Sequence, residues 1–87
     1  MKKYIMNAEG LELEAIIKGF CVELDDLIQV AADAGDEDIS SHFAKDYKQI
    51  ELFYFRVKNK EELSVLERNQ IREIMKADMK QAGIYFC

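Results

Sequence analysis

The one histidine of the chain, His42, has an aspartate four residues to either side, Asp38 and Asp46. At 3.6 residues per turn all three share a helix face, and one imidazole with two carboxylates can hold a divalent ion or pair an acid with a base. Three ligands on one helix nonetheless make a poor cage. A structural zinc site calls for more ligands, and a carboxylate-rich di-iron bundle needs Glu-x-x-His on two helices, which a single histidine cannot supply. The three are therefore read as a solvated helix face, and no metal or cofactor is expected. Nucleophile chemistry has as little support. Cys21 falls at a core-facing position of an expected helix, where burial keeps a thiol protonated, and Cys87 has no base close in sequence. Ser40, Ser41 and Ser64 are the only serines, threonine is missing, and each serine has a capping explanation. Gly10, Gly19, Gly35 and Gly83 stand isolated, so no phosphate-cradling loop exists. No catalytic residue is assigned, and the chain is read as non-enzymatic.

The elements that carry these groups are helices. With no proline and four glycines in 87 residues, the chain lacks the turn formers of a many-stranded protein. Asn7 can cap a first helix over 8–34, in which Leu13, Ile17, Phe20, Leu24, Leu27 and Ala31 step by four and three residues along one face. Gly35 supplies a left-handed stop. Ile39, Phe43, Tyr47, Ile50, Tyr54 and Val57 continue the rhythm through a second helix over 38–58. Its run Leu52-Phe53-Tyr54-Phe55 also suits a strand, but the unbroken upstream periodicity favours helix and turns Leu52 and Phe55 outward. A third helix over 60–82 starts at a capping box, Asn59 with Glu62 or Ser64 with Glu67. Leu66, Ile71, Ile74, Met75, Ala77 and Met79 form its expected inner face, and Gly83 its end. The apolar tail Ile84-Tyr85-Phe86-Cys87 should fold back onto a groove or onto a second copy. The expected fold is a single all-α domain over 1–87, an antiparallel three-helix bundle with a docked C-terminal tail. The alternative is an α+β arrangement with short strands at the termini and near 50–57.

Charge is distributed unevenly over this frame. The net charge is −5, yet the segment from Glu9 to Asp38 holds ten acids against the single base Lys18. Such a segment repels nucleic acid and attracts basic surfaces. The acids Glu23, Asp25, Asp26, Asp33, Asp36, Glu37 and Asp38 are accordingly the expected partner-binding face. Arg68, Arg72, Lys76 and Lys80 recur every four residues on the third helix. Their interleaving with Glu67, Glu73 and Asp78 suits a ridge answering the acidic helix within the bundle better than a phosphate-binding groove, so direct nucleic-acid binding is not expected. No apolar run reaches the roughly eighteen residues of a membrane span, and two cysteines at most suit a reducing cytoplasm.

In length and acidity the chain resembles small helical inhibitors such as the immunity proteins of nuclease bacteriocins and phage-encoded anti-host or anti-CRISPR proteins. The similarity rests on size and charge alone and assigns no family; the acidic segment itself points to a stoichiometric inhibitor or regulator of a basic partner, with DNA mimicry as one form of it. The seven acids from Glu9 to Asp33 lie about 5 Å apart along a helix on average, some three times sparser than the charges of duplex DNA at one per ~1.7 Å. Two further functions are carried beside this one. The first is a structural subunit that self-associates, as a homodimer, through Leu52, Phe55, Ile84, Tyr85 and Phe86. The second is a nucleic-acid-binding regulator using the basic ridge.

Overall fold

The computed structural model describes residues 5–86, with side chains for residues 5–83. Three helices follow one another: α1 over Gly10–Asp33, α2 over Glu37–Lys58 and α3 over Val65–Phe86. Among the described residues there is no strand, so the aromatic run at 52–55 is helical as its upstream periodicity requires. No described helix is long and apolar enough to cross a membrane.

Short connections fold the helices back on one another. At the end of α1 the amide of Gly35 donates to the carbonyl of Ala32 at 3.0 Å, and that of Asp36 to Ala31 at 2.9 Å. This double closure needs a left-handed residue at Gly35, whose φ is +82°. The turn is tied down further by Ser40, whose hydroxyl donates to the Ile28 carbonyl at 3.0 Å. The end of α2 repeats the geometry with Lys60 at φ +66°, as the amides of Lys60 and Glu61 reach back to Val57 and Arg56. A side chain in that conformation costs about 1 to 2 kcal/mol, which the capped carbonyls offset. Of the two capping boxes, the structure uses Ser64 with Glu67: the Glu67 amide donates to Ser64 Oγ at 3.1 Å and the Ser64 amide to Glu67 Oε1 at 3.0 Å. Helix α3 therefore starts at Val65 and not at 60. Helix α1 starts at Gly10 behind Glu9, so Asn7 is not its cap.

The α1 stripe is the centre of the core. Leu13, Ile17, Cys21, Leu24, Leu27 and Ala31 are buried, and Phe20 is half-buried against them. From α2 come Phe43, Ile50 and Phe53, and from the rest of the chain Ile5, Ala8, Leu63, Ile71, Met75 and Ala82. Each fully buried side chain of this size contributes about 1.5 to 3 kcal/mol. Helices α1 and α2 share most of the interhelical packing, and α3 is held by fewer contacts. The inner line of α3 is Ile71, Met75, Asp78 and Ala82, spaced four, three and four. Leu66 and Met79, expected inside, are 69% and 40% exposed, and Ala77 is exposed as well. Gly83 does not stop the helix: Ile84, Tyr85 and Phe86 form its last turn. Their side chains, like Cys87, lie outside the described residues, and so does the tail half of the expected self-association patch.

The two arginines of the basic ridge find partners other than the acids of α1. Arg68 instead donates to the carbonyls of Ile5 at 2.9 Å and Ala8 at 2.7 Å, which satisfies a buried N-terminal turn and fastens it to α3. Arg72 meets Asn69 and Glu73 on its own helix. Arg56 clasps α2 to the start of α3 through Glu67, with Glu61 nearby at 3.6 Å. That guanidinium, with the Ser64 amide, pulls the Glu67 carboxyl down to about 2.

Candidate functional site

Glu23, Asp25, Asp26 and Asp33 project from the outer side of α1, away from the buried stripe, and all four are exposed. Glu37 and Asp38 are exposed in the first turn of α2, and Asp36 is half-buried at its N-cap position. The last three have a local reason to be acidic, since the positive end of a helix dipole favours negative charge there. Asp33 has the opposite circumstance. It closes α1, whose last turn holds no base, and an acid at that end is disfavoured by up to about 1 kcal/mol. Its one hydrogen bond is accepted from Gln29 at 3.0 Å. Among the described residues, none of Glu23, Asp25, Asp26, Asp33, Glu37 and Asp38 forms an ion pair.

Beside these acids the antiparallel pairing of α1 and α2 leaves an open groove of about 210 Å³. Its floor is Cys21, Val22, Tyr47, Tyr54 and Phe55, and Asp25 and Glu51 rim it together with Lys18. Val22 is 55% exposed and Phe55 48%, with Leu52 at 66% on the same outer side of α2. Burial, reinforced by Glu51, pushes the Cys21 thiol up, so it stays protonated. The same two causes push the Tyr47 hydroxyl up. A larger groove of about 540 Å³ lies where the N-terminal turn meets the α2–α3 connection. Its walls mix Glu9, Glu14, Lys58, Lys60 and Arg68 and, among the described residues, bring together no histidine, serine or cysteine.

The constellation around His42 changes membership in three dimensions. His42 Nε2 stands 3.2 Å from Asp46 Oδ2, one turn along α2, and 3.4 Å from Asp78 Oδ1 on α3. Asp38 is not part of the cluster; Asp78 is. Asp78 is 1% exposed, and its Oδ2 has no hydrogen-bond partner. Burial, then the neighbouring Asp46, pushes its carboxyl up to about 8. Sequence reasoning missed this residue by treating it as a surface acid between lysines. The signal was available in its spacing, seven residues from Ile71, three from Met75 and four from Ala82, which places it on the inner line. The chain matches no known family, no curated protein and no solved structure.

Proposed function

We propose that the protein is a non-enzymatic interaction module, a stoichiometric inhibitor or regulator that engages a basic protein surface through the outer side of α1 and the start of α2. The observation that carries this reading is that, among the described residues, Glu23, Asp25, Asp26, Asp33, Glu37 and Asp38 are exposed without ion partners, while Arg56 and Arg68 are engaged by Glu67 and by the N-terminal turn. The groove at Val22 and Phe55 adds apolar area next to the charge, the combination of desolvated anchor and charged rim by which protein surfaces recognise one another. Charge speeds encounter and sets orientation, and its contribution weakens as salt screens it beyond ~8 to 10 Å. The buried, protonated Cys21 suits a reducing cytoplasm as the place of encounter.

Reversing Asp25, Asp26 and Asp33 together to Lys is expected to leave the helical circular dichroism spectrum intact, because all three lie off the core. The same change should weaken capture of the partner from host extract at least about tenfold and flatten its salt dependence. Arg72→Glu with Lys76→Glu serves as the opposite-charge control and should retain the partner; Arg68 is unsuitable because it holds the N-terminal turn. If the control loses the partner and the acidic variant keeps it, a nucleic-acid regulator using the third helix replaces this reading. A second reading, self-association, is favoured by one observation, the exposure of Leu52 and Phe55 on the outer side of α2, with the exposed Val22 lining the same groove as Phe55.

A further inference from the structure

We propose that His42, Asp46 and Asp78 form a binding site for one divalent transition-metal ion of the zinc class, which joins α3 to α2. Three independent features of the site converge on it. The first is spacing. Ligands bound 2.0 to 2.1 Å from a tetrahedral ion lie about 3.3 Å from one another, and the imidazole nitrogen stands 3.2 and 3.4 Å from its two carboxylate oxygens. All three ligand atoms fall within 4.8 Å of one another.

The second feature is the unsatisfied oxygen. Buried carboxylates are hydrogen-bonded or neutralised in nearly all proteins, yet Asp78 is 1% exposed with Oδ2 unpartnered. Neutral imidazole carries one proton on Nε2 at most and can satisfy one of the two facing carboxyl groups; the other needs a proton of its own or a cation. Among the described residues no lysine or arginine pairs with Asp46 or Asp78. A dication supplies what this geometry lacks, two charges and a lone-pair acceptor common to all three groups.

The third is placement. Two ligands come from successive turns of α2 and the third from α3, so the objection to three ligands on one helix does not apply. Asp78 is anchored in the core between Met75 and Ala82, whereas His42 is 57% exposed and opens the site to solvent, leaving a further coordination position for water. The imidazole disfavours calcium and magnesium, which take oxygen ligands, and one nitrogen with two carboxylates suits zinc, manganese or ferrous iron. Because α3 is the least packed of the three helices, an ion held between it and α2 should show in the stability of the whole domain.

The test uses the full chain, stripped with EDTA, exchanged into chelator-free buffer and titrated with ZnCl2 and, in parallel, CoCl2. One equivalent should bind, and at hundredfold excess over Kd the melting temperature should rise by about 10 °C or more. His42→Ala and Asp46→Asn, both at the partly exposed side of the site and checked for wild-type helicity, should each weaken binding at least about tenfold. Asp38→Asn should bind as the wild type does. No saturable binding below millimolar zinc would overturn the site, as would unchanged affinity in His42→Ala and Asp46→Asn. A thiolate-to-cobalt charge-transfer band would overturn it too, because it would place the ion on cysteine.

Discussion

Leu24→Asp is expected to unfold the protein at room temperature, while Asp25→Ser, one residue along the same helix, leaves it folded. Leu24 is 0% exposed at the middle of the α1 stripe, with Ile17, Leu27 and Ala31 of its own helix and Phe43 and Ile50 of α2 also in the core. An unpaired carboxylate there has no lysine or arginine within the cluster, so the change removes about 2 kcal/mol of apolar burial and adds a desolvation cost of several more. A domain of this size has only about 5 to 15 kcal/mol in total. Asp25 is exposed at the rim of the groove, and its loss touches neither the stripe nor an ion pair. Thermal melts by circular dichroism decide the matter. Equal melting temperatures for the two variants would mean that α1 does not form the core.

The contrast between α1 and α3 explains how much of the molecule was legible in the sequence. The six buried residues of α1 recur at steps of three and four along one side, flanked by the partly buried Ile16, Phe20 and Ile28, so the stripe from Leu13 to Ala31 and the stop at Gly35 follow from spacing even though Leu11 and Val22 face water. The same holds for α2, whose outward Leu52 and Phe55 are where periodicity places them. Helix α3 spreads its apolar residues around the whole circumference: Val65, Leu66 and Met79 face water, and an aspartate occupies one of its inward positions. Counting apolar residues alone shifts the inner line toward Met79 and ejects Asp78. The cluster at His42 was half visible for the same reason. Its i, i+4 pair on α2 is a local feature, but its third member joins it through tertiary packing 32 residues later in the chain. The acidic face was legible as a charge count, and what structure adds is the destination of the arginines, which spacing had assigned to α1.

In metal-free protein, held in chelator, stability is expected to fall as pH rises from about 4 to about 8, and Asp78→Asn is expected to remove most of that slope. Burial, with the Asp46 carboxylate beside it, pushes Asp78 from 3.8 in an unperturbed chain up to about 8. Between those values the folded state keeps a proton that the unfolded state has released. Stability therefore declines through this window as pH rises, and the effect is complete above the folded value. At about 1.4 kcal/mol per pH unit the decline amounts to several kcal/mol, a large part of the total for a small domain. Asparagine reproduces the protonated form in shape and can donate to Asp46, so Asp78→Asn should match the wild type near pH 4.5 and exceed its melting temperature by about 10 °C or more at pH 8.5. Asp46→Asn should remove part of the slope, since it takes away the second cause of the shift and leaves burial. Melts between pH 4.5 and 8.5 measure all three. A wild-type profile that is flat or rising through this window, or an Asp78→Asn profile parallel to it, would show that the Asp78 carboxyl is stabilised in its charged form by a group other than those that surround it here.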